Sequence, residues 1–517
     1  MGCSNSSSKI DSENPIIQIS SGQKYEDLQF GPDFDVFLGL PYARPPISGR
    51  RFKKPEKIQE ITENPVKCQK YPNRSVYKEI LWERFVRGSK ISEDCLYLNI
   101  FAPKIEDQGP KKSGLPVLFF IHGGGFIMDS PQILSPAKIC PQLVSKRIIV
   151  VTCHYRLGIL GFAGPGPKNL GLWDQLEALK WTHENIASFG GDAENITICG
   201  HSAGAVAADL LSLSPHTAGL FARKILMGGT AECRWATRKS GEVDEYCEKW
   251  AERIGWKRNA EELTDFLMRI DAEKLASTML LNSDFPAKCH FALGPVSDDA
   301  DFFPQDIEVL RKTAPRVPQI IGGGKYESLL FHAIYWPKLR GTKKQVENLL
   351  EEIARQSTLE LSKIKNIIEK IYADLQNPEN LVNLTSDLFV NHGIYQKMKQ
   401  NPEIFAYTFN YQSSKLWGAL RIFAPFPGAT HTTDLTYFFN ANYMRAVGGG
   451  NAEDARRARN AAEYLVNFMK CGEPGGEWRK IGDDLEVFGF EEMSGSMQNS
   501  EFVERMRKLE ELLRNVE

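Results

Sequence analysis

Short apolar runs recur along the chain with stretches of helical spacing between them. The runs are rich in Val, Ile, Leu and Phe, and they lie at residues 115–121, 147–152, 195–199, 224–227 and 317–321. Continuous apolar runs of this length are typical of strands buried on both faces. Residues 173–188 and 203–213 carry helical periodicity between them. Strands that alternate with helices predict an α/β fold with a mostly parallel central sheet flanked by helices.

Composition narrows the class of protein further. The 517 residues include 63 Lys and Arg against 65 Asp and Glu, so the net charge of −2 gives no overall field to hold nucleic acid. No apolar stretch approaches the length needed to cross a bilayer. No repeat or low-complexity linker divides the chain, which predicts one domain over residues 21–517. Residues 340–400 are polar and helix-rich, and we expect them to form an insertion that roofs the active site.

The first residues resemble a lipid-attachment signal. Residues 1–6 read Met-Gly-Cys-Ser-Asn-Ser, the pattern for N-myristoylation at Gly2, and Cys3 beside it is a candidate for palmitoylation. A single myristoyl chain binds membranes with a constant of only about 10⁴ M⁻¹, whereas two chains anchor stably. No secretory signal precedes the fold. We expect residues 1–20 to form a flexible tail and the protein to be cytoplasmic, anchored to the cytoplasmic face of a membrane if acylated; an unmodified polar tail is the alternative.

A serine lies in a motif typical of a nucleophile. Residues 200–204 read Gly-His-Ser-Ala-Gly and fall between a predicted strand and a predicted helix. In that context Gly-x-Ser-x-Gly predicts a sharp turn that exposes the oxygen of Ser202 above the sheet. Glycines at Gly200 and Gly204 avoid collisions between a Cβ and the backbone. The N–H of Ala203, at the helix N-terminus, then faces any oxygen that becomes negative beside Ser202.

A run of three glycines follows another predicted strand. Residues 122–125 read His-Gly-Gly-Gly, and their bare N–H groups are suited to approach an oxyanion. Alone, this run would be read as a flexible turn; with the serine motif downstream it predicts an oxyanion hole.

The ten cysteines contain no Cys-x-x-Cys pair, so a structural zinc site has no support. We expect no metal and no cofactor.

With these motifs the chain resembles the type-B carboxylesterase family, which includes cholinesterases and non-enzymatic adhesion relatives. Further matching segments occur in family order at residues 37–46, 92–99, 169–175 and 189–192. The resemblance implies an α/β-hydrolase fold and small-molecule ester substrates. It also implies that the N–H groups of Gly124, Gly125 and Ala203 form the oxyanion hole.

A serine hydroxyl needs a histidine that accepts its proton and a carboxylate that orients the histidine. In this fold the chain order is Ser, then Asp or Glu, then His. Of the nine histidines, His332, His392 and His431 follow a plausible acid downstream of Ser202 and remain as candidates. The family places its histidine in a Gly-x-x-His loop, which implies that His431 is the base and the other two are structural.

By the same resemblance the acid is Glu327, just after the predicted strand at residues 317–321. Its neighbours depart from the family's Asp-Glu-Gly pattern, because Tyr326 stands for the Asp and Ser328 for the Gly. Without the resemblance, a glutamate here would be read as a solvated surface residue.

Two further departures affect the interpretation. His201 occupies a position that is usually acidic in the family, which weakens a choline-ester specificity. Adjacent residues on the turn point apart, so we do not expect His201 to replace His431.

Cys68 and Cys95 match the first disulfide loop of the family, but Trp256 and Phe266 stand where a second pair is expected. We therefore predict that the two cysteines lie close together and are reduced in the cytosol.

The resemblance also implies two buried ion pairs, Arg44 with Glu93 and Arg156 with Asp174. Both are expected to hold the shape of the site and to do no chemistry. Breaking such a pair from one side strands a charge and costs about 3–5 kcal/mol.

The sequence therefore favours a serine carboxylic-ester hydrolase that works through an acyl-enzyme. Two alternatives stay open at this stage: an acyltransferase that uses the same triad, and a non-enzymatic binding protein that keeps only the fold. An intact Ser202, Glu327 and His431 favours an enzyme. The acyl and alcohol groups of the substrate and the oligomeric state do not follow from the sequence.

Overall fold

The fold is built on one large sheet. The structure, a computed structural model, describes residues 15–59, 63–79, 89–104, 114–276, 291–339, 343–355, 359–411, 413, 417, 421–441, 451–491 and 495–514. Within these ranges the strands are, in chain order, β1 Ile16–Gln18, β2 Lys24–Glu26, β3 Phe34–Pro41, β4 Val66–Lys67, β5 Tyr97–Pro103, β6 Leu115–Ile121, β7 Ile149–Cys153, β8 Gly191–His201, β9 Arg223–Met227, β10 Gln319–Gly324, β11 Phe405–Phe409, β12 Val487–Phe490 and β13 Ser496–Gln498.

Ten of these strands form the central sheet in the order β13-β12-β11-β10-β9-β8-β6-β7-β5-β3. Pairing is parallel from β12 through to β7. Antiparallel pairs occur at the two ends, where β13 joins β12 and where β5 joins β7 and β3. The expected mostly parallel sheet is confirmed. The carboxyl ends of its parallel strands meet at one edge, where ligands bind in open α/β sheets.

Helices cover both faces of this sheet. The α-helices of the described residues are α1 Pro136–Gln142, α2 Gly158–Phe162, α3 Leu170–Asn185, α4 Ala203–Leu211, α5 Ser240–Arg253, α6 Leu263–Arg269, α7 Ala272–Ala276, α8 Ile307–Thr313, α9 Leu329–Leu339, α10 Lys343–Arg355, α11 Leu361–Tyr372, α12 Pro378–Ser386, α13 His392–Gln400, α14 Thr433–Phe439, α15 Ala452–Cys471 and α16 Glu501–Arg514. A π-helical turn, Asp387–Asn391, joins α12 to α13. None of these described helices combines the length and apolar composition that a membrane span requires.

The core lies on both faces of the strands. In β6, Val117, Phe119 and Ile121 belong to one buried cluster, whereas Leu118 and Phe120 belong to another. Successive side chains of a strand point to opposite faces, so a continuous apolar run is what a doubly covered strand requires.

The insertion at residues 340–400 is helical, as predicted, and comprises α10 to α13. It has a small core of its own that includes Leu349, Ile364 and Leu384. At the C-terminus, Phe502 and Met506 are buried and Leu509 packs against the main core. This apolar side of α16 therefore packs on the fold to which the helix belongs.

One of the two predicted ion pairs is wrong. Arg44 pairs with Glu56 at 3.1 Å on the surface, and Glu93 instead receives two hydrogen bonds from Arg51, at 2.7 and 2.6 Å. Arg51 is held in place because its guanidinium also donates to the carbonyls of Leu267 and Ile270, both at 2.7 Å. A pairing across such distant segments is set by the fold and not by spacing.

The second predicted pair is confirmed. Arg156 donates to both carboxylate oxygens of Asp174 at 2.8 and 2.7 Å, and both side chains are buried.

Cys68 and Cys95 are buried free thiols, and burial raises the pKa of each. Their redox state in the cell stays a prediction.

Gly2 and Cys3 lie outside the described residues. The predicted tail of residues 1–20 overlaps the fold, because Ile16–Gln18 already pairs with β2.

Candidate active site

Ser202 lies on a strained turn between a strand and a helix. Strand β8 ends at His201, Ser202 has φ 57° and ψ −123°, and α4 begins at Ala203. A positive φ is uncommon for a residue with a side chain and costs energy that the surrounding structure must supply. A Cβ on Gly200 would lie 2.0 Å from the carbonyl oxygen of Gly204, and one on Gly204 would lie 2.1 Å from that of Ile121. Only glycine therefore permits this turn.

The glycine run after β6 packs directly against the serine. A Cβ built on Gly123 would lie 3.0 Å from the Cβ of Ser202. Gly124 and Gly125 have φ of +95° and +61°, a backbone conformation that residues with side chains rarely adopt, so both positions favour glycine. The N–H of Ala203 belongs to the first turn of α4, where helix N–H groups have no partner within the helix.

Glu327 and His431 form a buried hydrogen-bonded pair. The distance from Nδ1 of His431 to Oε2 of Glu327 is 2.5 Å, although the residues are 104 positions apart in sequence. The other carboxylate oxygen of Glu327 accepts the N–H of Gly324 at 2.5 Å. Because a carboxylate only accepts, Nδ1 of His431 carries the proton and its other nitrogen is left as a base.

The two loops that carry this pair are joined to each other and to the serine turn. The N–H of Tyr326 donates to the carbonyl of Ala429 at 2.9 Å. The N–H of Ser202 donates to the carbonyl of Met227 at 2.7 Å, and a Cβ on the next residue, Gly228, would lie 3.1 Å from the His431 ring. The structure therefore brings the three predicted residues to one edge of the sheet.

The residues that depart from the family pattern tie the acid loop to the insertion. The hydroxyl of Tyr326 donates to Glu379 at 2.5 Å. The hydroxyl of Ser328 lies 3.0 Å from the carbonyl oxygen of Val382 and 2.7 Å from Oγ1 of Thr385. Through these contacts the two residues on either side of Glu327 attach the acid loop to α12.

The other two candidate histidines contact side chains of the insertion. His332 is buried with Nε2 3.0 Å from the hydroxyl of Thr385, and burial lowers its pKa to about 4. His392 lies on α13 beside Gln396, at 3.2 Å. His201 behaves differently: its ring centroid lies 4.5 Å from that of His431. The sequence signalled His201 only as an unusual residue.

Aromatic rings enclose the reacting position, and sequence reasoning missed them. The ring of Phe331 lies 5.5 Å and that of Phe389 5.4 Å from the His431 ring. Trp235 packs on Phe389 at 5.3 Å and on Phe291 at 5.1 Å. A Cβ on Gly125 would lie 3.1 Å from the ring of Phe291. No shared periodic signal marks these residues, because Trp235 and Phe291 come from separate loops, Phe331 from α9 and Phe389 from the π-helical turn.

Comparison with known proteins places this arrangement in context. The carboxylesterase family matches residues 13–506. The esterase cest-33 of Caenorhabditis elegans is 32% identical over 86% of this chain and 82% of its own length. The juvenile hormone esterase of Heliothis virescens is 30% identical over 86% and 82%. The crystal structure of juvenile hormone esterase from Manduca sexta, with OTFP covalently attached, superposes with a TM-score of 0.81 at 26% identity, covering 97% of this chain and all of that one. The α/β-hydrolase fold expected from the sequence is confirmed.

Proposed function

The chain belongs to the carboxylesterase family, and on that premise we propose that Ser202 is its nucleophile, His431 its general base and Glu327 the carboxylate that orients the base. The protein is a serine hydrolase of small-molecule carboxylic esters. One observation carries the assignment of residues: the buried hydrogen bond between Glu327 and His431 beside a serine on a strained turn.

Acylation begins when Oγ of Ser202 attacks the ester carbonyl and gives its proton to Nε2 of His431. Glu327 keeps the imidazole in the required tautomer and stabilises the imidazolium that forms. The carbonyl oxygen becomes negative and accepts hydrogen bonds from the N–H groups of Gly124, Gly125 and Ala203. His431 then donates the proton to the leaving alcohol, and an acyl-enzyme remains.

Deacylation repeats the same steps with water as the nucleophile. His431 takes a proton from water, the hydroxide attacks the acyl-enzyme, and Ser202 leaves with the proton restored to it. The chemistry requires no metal or cofactor, because every proton is held by His431 and every negative oxygen by a backbone N–H.

The test is to substitute the nucleophile. Ser202→Ala is expected to lower turnover of an aryl ester by about 10⁶. A fluorophosphonate probe is expected to label wild type at Ser202 and to leave Ser202→Ala unlabelled. His216→Ala serves as the control, because it also removes a histidine, one whose ring packs on Trp173 and Phe302. Turnover by Ser202→Ala within tenfold of wild type would refute the assignment.

We further propose that the acyl group of the substrate is short. The rings of Trp235, Phe291, Phe331 and Phe389 lie around His431 and Gly125, so a long acyl chain meets aromatic walls. Phe291→Ala is expected to raise kcat/KM for a long-chain p-nitrophenyl ester by about tenfold relative to the acetate. Phe302→Ala, which removes a ring packed on Trp173, is the control and should leave the ratio unchanged.

We propose that Gly2 carries myristate and Cys3 palmitate, and that the enzyme is held at the cytoplasmic face of a membrane. The support is the sequence pattern of residues 1–6. Gly2→Ala is expected to abolish both labels and to release the protein from the membrane fraction. Cys3→Ser should keep myristate and lose only stable attachment, because one acyl chain binds marginally. Equal myristate label in Gly2→Ala and wild type would contradict the proposal.

A further inference from the structure

A second imidazole–carboxylate pair lies against the catalytic histidine. His201, the last residue of β8, presents its ring to His431 with the centroids 4.5 Å apart and the planes at 42°. On its other side, Nε2 of His201 lies 3.7 Å from Oδ1 of Asp434. Both side chains are buried, at 3% and 1% exposure. The four groups Glu327, His431, His201 and Asp434 therefore form a continuous row.

Asp434 is held firmly within this row. Its Oδ2 accepts the hydroxyl of Tyr407 at 2.7 Å, and its Oδ1 accepts the N–H of Leu435 at 2.8 Å. Tyr407 belongs to β11 and Asp434 to the first turn of α14, so a central strand fixes the carboxylate relative to the loop that carries His431. Oδ1 also faces His201, so the carboxylate contacts the ring that packs on the catalytic base.

We propose that His201 and Asp434 are positioning residues for acyl transfer: Asp434 orients the His201 ring, that ring fixes His431, and the charge of Asp434 stabilises the imidazolium that His431 becomes. This inference rests on the proposed roles of Ser202, Glu327 and His431. No covalent bond changes in the second pair.

The electrostatics of the row agree with these roles. Burial lowers the pKa of His201 well below its ordinary value, and the charge of His431 lowers it further. His201 is therefore neutral and does not repel a protonated His431. Burial, with the charge of Glu327 added, raises the pKa of Asp434 from 3.8 to about 7, while the hydroxyl of Tyr407 opposes the rise. Asp434 thus gains its negative charge near neutral pH.

Cys199, two residues before His201 on β8, also interacts electrostatically with Asp434, as does Tyr407. Burial raises the pKa of this thiol well above its ordinary value, and Asp434 raises it further, so the thiol stays neutral.

This arrangement predicts a pH-dependent advantage of wild type over Asp434→Asn. Below pH 6 the carboxyl is protonated, and the two enzymes should have similar kcat/KM. Above pH 8 the carboxylate is charged, and wild type should exceed the variant by about tenfold, the factor that corresponds to one pKa unit of interaction with His431. The ratio of the two kcat/KM values is therefore expected to rise through pH 7.

Tyr407→Phe tests the same row with the carboxylate retained. Loss of a hydrogen bond to the charged form raises the pKa of Asp434, so the rise in kcat/KM should move to higher pH. Asp454→Asn is the matched control: Asp454 is also buried and also accepts a tyrosine hydroxyl, that of Tyr437 at 3.0 Å. Its substitution perturbs the fold without touching the row and should leave the pH profile unchanged.

The outcomes separate the two proposals. If Ser202→Ala is inactive while the ratio of wild type to Asp434→Asn stays constant from pH 5.5 to 8.5, the triad stands and the second pair is only packing. If Ser202→Ala keeps wild-type activity, the proposed roles fail first. A ratio that rises with pH, together with the displaced profile of Tyr407→Phe, supports the positioning role.

Discussion

Glu327 and Asp209 are both fully buried carboxylates that accept hydrogen bonds from nitrogen, yet their surroundings differ in charge. Glu327 accepts from the neutral ring of His431 and from one backbone N–H. Asp209, on the helix that Ser202 precedes, accepts from the ammonium groups of Lys224 at 2.9 Å and Lys397 at 2.6 Å. The first carboxylate faces a partner that gains charge during turnover, and the second faces partners that are already charged.

This difference fixes what each carboxylate can do. Burial alone would raise the pKa of Asp209, but the charges and hydrogen bonds of Lys224 and Lys397 hold it well below its ordinary value. Burial lowers the pKa of Lys224 to about 8, with Lys397 adding to the effect and Asp209 opposing it. Two cations that share one anion leave no free proton acceptor, so this cluster is structural. It joins α4, β9 and α13, whereas Glu327 serves a base.

The largest expected effect is on catalysis by Glu327. Glu327→Gln keeps the shape of the side chain but lets His431 adopt the wrong tautomer, so turnover should fall by about 10⁴. The free energy of unfolding should change far less, since the pair is only one of the contacts that hold the loop. Steady-state kinetics on an aryl ester and urea unfolding measure the two quantities. If turnover by Glu327→Gln fell by less than tenfold, Glu327 would not have the catalytic role that distinguishes it from Asp209.

Asp209→Asn should show the opposite pattern. Removing the anion strands two buried ammonium groups, and the free energy of unfolding is expected to fall by about 3–5 kcal/mol. Turnover per active site, counted by fluorophosphonate titration, should stay within about twofold of wild type. Asp244→Asn is the control. Asp244 forms an ion pair with Lys168 at the surface, and such a pair contributes at most about 1 kcal/mol to the free energy of unfolding.

The contribution of Asp209 should also depend on acidity. Its pKa is lowered in the folded state, so its stabilisation is complete above its ordinary value of 3.8 and is lost as the pH falls toward the folded value. The difference in unfolding free energy between wild type and Asp209→Asn is therefore expected to shrink as the pH falls below about 5. Urea titrations at pH 7, 5 and 4 measure this. A difference that grows on acidification would contradict the sign.

The smallest effect is expected at Arg44, where an ion pair lies on the surface. Arg44 and Glu56 are 48% and 43% exposed, so Arg44→Ala should cost about 0–1 kcal/mol. Arg51→Ala removes a guanidinium that is only 10% exposed and leaves Glu93 unpaired, and it should cost several times more. If urea unfolding showed the same loss of unfolding free energy for Arg44→Ala and Arg51→Ala, burial would not decide how much each ion pair contributes.

Much of the fold and the centre of the site followed from the sequence. The apolar run at residues 115–121 coincides with β6, because a doubly buried strand must be apolar at every position. The predicted run at residues 195–199 covers only part of β8, which extends from Gly191 to His201 and is less buried at residues 192–195. Boundaries of this kind depend on which neighbour covers each end of a strand.

The pairings of side chains from distant segments were less accessible. Glu93 finds Arg51 and not Arg44, because the carbonyls of Leu267 and Ile270 fix that guanidinium. His201 was expected to point away from Ser202 and not to replace His431, and nothing in the sequence indicated that its ring packs against His431. Asp434, whose carboxylate faces His201, is only three residues from His431 in the sequence. No rule of sequence spacing predicts that these two residues meet the end of β8, where His201 lies.

The sequence by itself determined the turn at Ser202, the glycine run before it and the order of strands and helices. These are local requirements: a strained φ, a bare N–H and an apolar face each demand particular residues at particular positions. Only the tertiary structure decided which charges meet, that Asp209 faces Lys224 and Lys397 and that Asp434 faces His201. The physical reason is that an ion pair depends on the direction of two side chains brought together by the whole fold.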